Sequence, residues 1–263
     1  MASLRNKKLF LLDMDGTIYL GDRLFGCTES FLDAVKAIGA RSIFLTNNSS
    51  KSADDYVRKL NGLGIACGRQ DLFTSVEASA IYIRKEHPGA KVFAAGTRAM
   101  VSELSGFGVD VTEEPSDDAS VVLQGFDTEM TYEKVSYACR LIDRGASFLA
   151  CNVDKVCPVE EGYIPDCGSI CEMIASATGR KAHFLGKPQP EMITGLLSKL
   201  EMGPEDAVMV GDRLYTDIAC GINAGVDTVL VLSGETTKAD LVGSDILPTY
   251  VLRDVGELAE MLK

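Results

Sequence analysis

The sequence predicts an α/β protein whose core is a Rossmann-like parallel β-sheet. Apolar segments at positions 9–12, 41–45 and 207–210 each run directly into polar residues, which is typical of interior strands of a parallel sheet. Segments with helical spacing alternate with these strands, and that alternation indicates βαβ units. At 263 residues, with 46% hydrophobic content, the chain is long enough for one large α/β domain or for a domain with a second one inserted into it.

The predicted elements fall into three groups, which begin at the opening strand, at Lys91 and at Phe184. In the first group, a helix at residues 28–38, with Thr28 as its expected N-cap, follows the opening strand. The remaining predicted helices lie at 52–63, 75–85, 97–104, 131–143, 169–178 and 190–200, and the remaining strands at 91–96, 109–111, 120–126, 147–150, 228–232 and 250–252. We expect residues 1–78 plus 183–263 to form one domain and residues 79–182 to form the inserted domain.

Composition limits the classes of function. A net charge of −12 argues against binding to nucleic acid or to an anionic membrane surface. No uncharged apolar run reaches about 18 residues, and Asp13 interrupts the first apolar run too early for a secretion signal, so we expect a cytoplasmic protein. The eight cysteines are expected to be reduced thiols. A zinc site at Cys167, Cys171 and His183 is disfavoured because the spacing fits no ligand knuckle.

The first strand ends in two carboxylates, Asp13 and Asp15. Side chains two residues apart on a strand point to the same side, and two carboxylates about 4 Å apart repel by ~4 kcal/mol at an effective dielectric of ~20. A metal ion relieves this repulsion. If Thr46, Lys187 and Asp212 lie at the same sheet edge, the site combines oxygen ligands suited to Mg²⁺ with one ammonium group.

Each of these features has an ordinary structural alternative when it is taken alone. An acid followed by glycine occurs in simple turns, and Thr46 with Asn47 is compatible with a helix N-terminus. Lys187 alone is compatible with a solvated surface lysine, and Asp212 with a turn. The functional interpretation rests on their occurrence together at successive strand ends.

Together these segments resemble the haloacid dehalogenase superfamily of phosphatases, in the NagD-like and p-nitrophenyl phosphate phosphatase subgroup. The similarity is carried by DMDGT at 13–17, Thr46 with Asn47, Lys187 in GKPQPEM, and GDRLYTD at 211–217. It implies a haloacid dehalogenase-like catalytic core with an inserted α/β cap domain. The implied activity is Mg²⁺-dependent hydrolysis of small phosphorylated metabolites, such as sugar phosphates, nucleoside monophosphates or phosphoglycolate.

The resemblance also implies a catalytic role for each acid. Asp13 is expected to be the nucleophile that forms an aspartyl-phosphate, and Asp15 the general acid and base. Asp212, the Asp13 carboxylate and the backbone carbonyl of Asp15 are the expected Mg²⁺ ligands. Asp217 is expected to support the metal site or to orient Lys187.

Substrate binding is assigned to the other motif residues. Thr46 and Lys187 are expected to hold the phosphoryl oxygens, assisted by backbone N–H groups of Asp15, Gly16 and Asn47. Lys187 is counted among the catalytic groups as well, because its charge stabilises the transition state.

The expected cap contains the segment that we predict to recognise the leaving group, a loop at 151–169. The family usually has Asn-Pro-Asp and Pro-Gly-x-Gly there, where this chain has Asn152-Val153-Asp154 and Pro165-Asp166-Cys167-Gly168. Asn152, Asp154 and Lys155 are candidates for contact with the leaving group, and the alternative is that they are solvated loop residues.

Two other functions stay open on the sequence alone. One is a non-catalytic phosphate-binding regulator and the other a phosphotransferase on the same fold. The expected partners are a small phosphorylated substrate and, as a possibility that the resemblance suggests, a second copy of the chain in a homodimer. Neither nucleic acid nor a membrane is expected as a partner.

Overall fold

The structure is a computed structural model that describes residues 4–159 and 161–263. The chain forms two compact units. The first comprises the described residues up to Thr46, together with Ala53–Phe73 and Lys187–Lys263, and the second comprises Asn47–Ser52 and Thr74–Gly186. The predicted α/β class, with a parallel-sheet core and an inserted α/β domain, is confirmed.

The first unit is built on a six-stranded sheet. Its strand order is β15-β14-β13-β1-β4-β5. These strands are β1 (Leu9–Leu12), β4 (Arg41–Thr46), β5 (Leu72–Thr74), β13 (Ala207–Gly211), β14 (Asp227–Val231) and β15 (Tyr250–Leu252). Strand β1 pairs in parallel with both β13 and β4, and all four of its residues are buried. The prediction that this strand lies inside the sheet is therefore confirmed.

Helices pack on this sheet, and a small hairpin follows β1. The hairpin strands are β2 (Tyr19–Leu20) and β3 (Arg23–Leu24), and the helices are α1 (Thr28–Ala37), α2 (Ala53–Gly62), α7 (Glu191–Leu200), α8 (Ala219–Asn223) and α9 (Val255–Leu262). Alternate residues of the strands, including Phe10, Leu12, Val208 and Val210, face a core shared with α1 and α9. This packing fixes the strand ends on which the polar residues lie.

The second unit has its own five-stranded parallel sheet, with the order β12-β9-β8-β6-β7. The strands are β6 (Lys91–Ala95), β7 (Asp110–Thr112), β8 (Val121–Gln124), β9 (Ser147–Ala150) and β12 (His183–Phe184). The helices are α3 (Ser75–Glu86), α4 (Arg98–Gly106), α5 (Tyr132–Asp143) and α6 (Cys167–Thr178). Alternation along the strands sends Phe93 and Val122 to one core and Val92 and Val121 to the other.

Several elements differ from the sequence prediction. The segment after β9, predicted as a continuous loop, contains an antiparallel hairpin of β10 (Val156–Val159) and β11 (Gly162–Pro165). Thr28 is the first residue of α1 rather than its N-cap, and its hydroxyl donates to the Ile18 carbonyl at 2.7 Å. That hydroxyl is used in a contact distant along the chain, which local spacing does not reveal.

The two units also divide at positions other than the predicted domain boundaries of 78/79 and 182/183. The first boundary cuts helix α3, and the second precedes strand β12, which pairs with β9; both elements belong to the second unit. The second unit also includes Asn47–Ser52. These differences arise because pairing and packing, rather than composition, set the limits of a compact unit. Among the described residues, no helix is both long enough and apolar enough to cross a membrane.

Candidate active site

The register of the first sheet brings three polar strand ends to one edge. Leu12 lies opposite Val210 on β13 and Phe44 on β4. Asp13 directly follows Leu12, while Asp212 and Thr46 lie two residues beyond their respective partners. Parallel strands point their carboxyl ends the same way, which is where α/β proteins bind ligands.

Lys187 joins two of the acids. Its Nζ lies 2.5 Å from Asp13 Oδ1 and 2.7 Å from Asp217 Oδ1. The side chains of Lys187 and Asp217 are 4% and 1% exposed, whereas that of Asp13 is 17% exposed. Burial by itself lowers the pKa of Lys187, but the charges and hydrogen bonds of the two acids outweigh it and raise that pKa. The lysine is therefore a fixed cation.

Three carboxylates lie close together at this site, and two of them contact Lys187. Asp13, Asp212 and Asp217 offer oxygen atoms that all lie within 4.8 Å of one another. Burial, followed by the charge of Asp217, raises the pKa of Asp13 to about 8, against the opposing effect of Lys187. Burial and the same neighbour raise the pKa of Asp212 to about 6. The raised pKa values of Asp13 and Asp212 show that the cluster favours an additional positive charge, even with Lys187 and Arg213 nearby.

Asp212 is held in a tight backbone cradle. Its Oδ2 accepts the Glu235 N–H at 2.7 Å, whereas its Oδ1 is buried and has no hydrogen-bond partner among the described residues. A Cβ added at Gly234 would lie 2.0 Å from Asp212 Oδ2, and one at Gly16 2.5 Å from it. Gly16 also has φ +86°, a conformation that side chains rarely adopt. These glycines leave room for the carboxylate, and its unpartnered oxygen fits a metal ligand.

Asp15 is positioned differently from Asp13. Its side chain is exposed, and it does not belong to the group of three acids. The backbone beside it is fixed, because the Gly16 N–H donates to the Tyr19 carbonyl at 2.7 Å and the Ser233 hydroxyl donates to the Gly16 carbonyl at 2.7 Å. Two acids separated by one residue thus have distinct environments. The metal role of the Asp15 carbonyl stays a prediction.

Thr46 and Asn47 occupy different surroundings although they are neighbours in sequence. Thr46 is buried at the end of β4 in the first unit, while Asn47 belongs to the second. The Asn47 side-chain amide donates to Asp154 Oδ2 at 2.9 Å, and the Asn47 backbone carbonyl accepts a hydrogen bond from the Ser75 hydroxyl at 2.7 Å. These two hydrogen bonds do not use the Asn47 backbone N–H, so they are compatible with the prediction that this N–H binds a phosphoryl oxygen.

Sequence reasoning missed the segment at residues 233–236. The Ser233 hydroxyl donates to the Gly16 carbonyl, and the Glu235 N–H donates to the Asp212 carboxylate. The Glu235 carboxylate forms an ion pair with Arg213 at 2.8 Å. The sequence does carry a signal for this segment, because it is polar, contains a glycine and comes soon after the buried strand β14. The other motifs likewise come directly after buried strands. Asp217 was predicted as a supporting residue, and the structure places it within the acidic cluster itself.

Comparison with known proteins agrees with this architecture. Residues 10–110 match the family described as haloacid dehalogenase-like hydrolase, and residues 184–258 match the family described as HAD-hydrolase-like. Among curated relatives, an acid sugar phosphatase of Staphylococcus saprophyticus is 34% identical over 260 residues, covering 99% of this chain and 100% of the relative.

Solved structures resemble the whole chain as well. A 4-nitrophenylphosphatase from Thermotoga maritima is 39% identical with a TM-score of 0.92, covering 99% of each chain. NagD from Escherichia coli K-12 is 29% identical with a TM-score of 0.87, covering 96% of this chain and 98% of NagD. A glycerol phosphate phosphatase of Mycobacterium tuberculosis, in complex with magnesium, is 30% identical with a TM-score of 0.89, covering 100% of this chain and 78% of that one.

The chain therefore belongs to the haloacid dehalogenase-like hydrolases. The likeness to their NagD-like phosphatases, predicted from the motifs, is confirmed, and the chain is a phosphatase. Mg²⁺ is its cofactor, since the acidic cluster and the unpartnered oxygen of Asp212 fit a hard divalent cation.

Proposed function

We propose that this chain is a Mg²⁺-dependent phosphomonoesterase that acts on small phosphorylated metabolites through an aspartyl-phosphate on Asp13. The observation that carries the proposal is the arrangement of Lys187 between Asp13 and Asp217, with Asp212 in the same cluster. A partly exposed carboxylate beside a buried cation is suited to attack on an anionic phosphoryl group, because the cation offsets the repulsion between the two anions.

In the first step, a carboxylate oxygen of Asp13 bonds to phosphorus while the bond between phosphorus and the leaving-group oxygen breaks. Asp15 donates its proton to that oxygen, so the product leaves as an alcohol. The exposed position of Asp15 supports this role, because a general acid must reach the part of the substrate that departs.

In the second step, Asp15 acts as a base. It removes a proton from water, and the water oxygen attacks phosphorus while the bond to Asp13 breaks. Inorganic phosphate is released, Asp13 is regenerated as a carboxylate, and Asp15 regains the proton that it gave up. The two steps together hydrolyse the ester and leave both acids unchanged.

The phosphoryl oxygens are held by positive charge and by hydrogen-bond donors. Lys187 supplies a buried ammonium group, and Thr46 a buried hydroxyl at the end of β4. Backbone N–H groups of Asp15, Gly16 and Asn47 are the other proposed donors. Asp13, Asp212 and the Asp15 carbonyl would hold Mg²⁺, with Asp217 nearby, and the ion would supply further positive charge to stabilise the transition state.

We propose that the first unit is the catalytic core and the second is the cap that recognises the leaving group. Sugar phosphates are the favoured substrate class, because curated relatives at 33–34% identity over nearly the whole chain are acid sugar phosphatases. The 4-nitrophenylphosphatase relative makes p-nitrophenyl phosphate a reasonable test substrate.

Eight free cysteines support the proposed cytoplasmic location. The homodimer stays a prediction, which analytical ultracentrifugation tests.

The proposal is tested with p-nitrophenyl phosphate, with and without Mg²⁺, in the parent protein and in Asp13→Asn. We expect release of nitrophenol only from the parent with Mg²⁺. Equal release in all cases would contradict both the nucleophile and the metal requirement. A panel of sugar phosphates, nucleoside monophosphates and phosphoglycolate, ranked by kcat/KM, then identifies the substrate class. Transfer to added alcohols instead of water would favour the phosphotransferase alternative.

A further inference from the structure

A partly buried polar network in the second unit joins Asn47 to the loop after β9. The Asn47 amide and the Asn152 amide both donate to the same oxygen, Asp154 Oδ2, each at 2.9 Å. The Asn152 amide also donates to Asp166 Oδ1 at 3.1 Å. Asn152 is 1% exposed, and its own Oδ1 has no hydrogen-bond partner among the described residues. A buried acceptor without a partner destabilises a fold, so stability alone does not account for this network.

Asn47 is held on its other sides too. Its carbonyl accepts the Ser75 hydroxyl at 2.7 Å. A Cβ added at Gly186 would lie 2.7 Å from Asn47 Oδ1 and 2.3 Å from the Cys151 carbonyl oxygen. The absence of a side chain at Gly186 therefore lets the Asn47 amide and the loop approach closely. Asn47 is fixed through its side chain and its backbone together.

The loop that carries Asp154 is itself rigidly supported by the start of α6. The Gly168 N–H donates to the Asp154 carbonyl at 2.8 Å, and the Asp166 N–H donates to the Lys155 carbonyl at 2.9 Å. A Cβ at Gly168 would lie 2.3 Å from the Val153 carbonyl oxygen. Asp166 caps α6 by accepting the Cys167 N–H. The Asp154 carboxylate is therefore presented from a fixed backbone.

We propose that Asp154 is a positioning residue that fixes Asn47, and through it the backbone N–H that follows Thr46, for binding of the phosphoryl group. This inference rests on the proposed function. The hydrogen bonds that Asp154 Oδ2 accepts from Asn47 and Asn152 give Asp154 a role inside the second unit. Contact of Asn152 or Asp154 with the leaving group stays a separate prediction. The side chain of Lys155, by contrast, is exposed and pairs with Glu172 at 2.7 Å.

The geometry gives the proposal a specific chemical signature. Because a single oxygen of Asp154 accepts both hydrogen bonds, the carbonyl oxygen of an asparagine can take its place, whereas alanine removes both bonds. If Asp154 acted through its negative charge or by proton transfer, both variants would instead lose kcat to the same extent. Displacement of a reacting group by about 1 Å can cost ~100-fold in rate.

The test compares Asp154→Ala, Asp154→Asn and a control in the same unit, Asp117→Ala, whose side chain is 83% exposed, with p-nitrophenyl phosphate and saturating Mg²⁺. We expect Asp154→Ala to lower kcat about 30-fold to 100-fold. Asp154→Asn and the control Asp117→Ala should stay within about 3-fold of the parent. The Mg²⁺ concentration for half-maximal activity should not change, because no acid of the metal cluster belongs to this network. In the Asn47→Ala background, Asp154→Ala should have little further effect, since the side-chain amide through which Asp154 acts is gone.

Equal losses in Asp154→Asn and Asp154→Ala would overturn the positioning role, and so would parental kcat in a folded Asp154→Ala. A loss that persists undiminished in the Asn47→Ala background would also overturn it, because it would show an effect independent of Asn47. If Asp154→Ala does not fold, the activity of Asp154→Asn decides. These outcomes leave the proposed function intact when Asp13→Asn is inactive and the parent is active; an inactive parent would overturn both.

Discussion

The ammonium group of Lys187 and the carboxylate of Asp217 form an almost completely buried ion pair, with Nζ and Oδ1 2.7 Å apart. The second Asp217 oxygen, Oδ2, accepts the Arg213 N–H at 3.1 Å. Asp217 therefore uses both oxygens, one to hold the lysine beside Asp13 and one to hold the loop after β13. Neither acceptor is replaceable by an amide nitrogen.

Asp217→Asn is accordingly expected to lower kcat/KM for p-nitrophenyl phosphate by about 10-fold to 100-fold. The substitution removes the negative charge that lies beside Lys187. It also turns one of the two acceptor oxygens into a donor. Steady-state kinetics at saturating Mg²⁺ measure the effect, with the exposed Asp240→Asn as control. Activity within a factor of two of the parent would show that Asp217 does not orient Lys187.

The affinity for Mg²⁺ is expected to rise steeply with pH. In the metal-free protein, burial raises the pKa of Asp13 to about 8 and that of Asp212 to about 6. Protons thus compete with the metal, and the apparent dissociation constant should be on the order of 100-fold larger at pH 6 than at pH 8. Isothermal titration calorimetry in two buffers measures both the affinity and the protons released. A pH-independent affinity would contradict this prediction.

The same shifts set the sign of the stability change. A carboxyl group with a raised pKa in the folded state stabilises the fold below its unfolded value, and that contribution is lost as the pH rises through the folded value. The metal-free protein should therefore lose stability as the pH rises from about 4 to about 8. Added Mg²⁺ should raise the melting temperature more at pH 8 than at pH 6. Equal shifts at both pH values would contradict this linkage.

Gly234→Ala tests the cradle around Asp212. The added methyl group would lie 2.0 Å from Asp212 Oδ2, so the carboxylate or the backbone must move. We expect the Mg²⁺ concentration for half-maximal activity to increase about 10-fold or more. Gly62→Ala, where an added Cβ meets no neighbour within 4 Å, is the matched control and should leave the Mg²⁺ requirement unchanged. An unchanged requirement in Gly234→Ala would indicate that Asp212 does not bind the metal.

Lys7 and Lys8 provide a comparison for stability away from the site. Lys7 is 3% exposed and pairs with Asp227 at 2.7 Å, and it also donates to the Glu205 carbonyl at 2.8 Å. Lys7→Met should lower the free energy of unfolding by about 1–3 kcal/mol, because Asp227 loses its buried partner. Lys8 is 68% exposed, so Lys8→Met should have no measurable effect. Chemical denaturation measures both, and equal changes would contradict the role assigned to burial.

Much of the fold was predictable because it depends on local pattern. The buried strands 9–12 and 207–210 and the helices that alternate with them were predicted close to their observed positions. The two-residue strand β12 was missed, because it is defined by pairing with β9 rather than by its own sequence. The hairpin of β10 and β11 was missed for the same reason, since its two strands are exposed and lack a hydrophobic pattern typical of the core.

The sequence by itself determined the chemistry of this protein, namely a pair of acids after a buried strand, a lysine motif, a second acidic motif and an inserted α/β set. Only the tertiary structure decided how these groups contact one another. Lys187 meets an acid 174 residues away, and Asn47 meets Asp154, 107 residues away. Such contacts are set by packing and strand register across the chain, which local spacing does not encode. For that reason Asp13 was found from its motif, whereas the link between Asp154 and Asn47 emerged only from the fold.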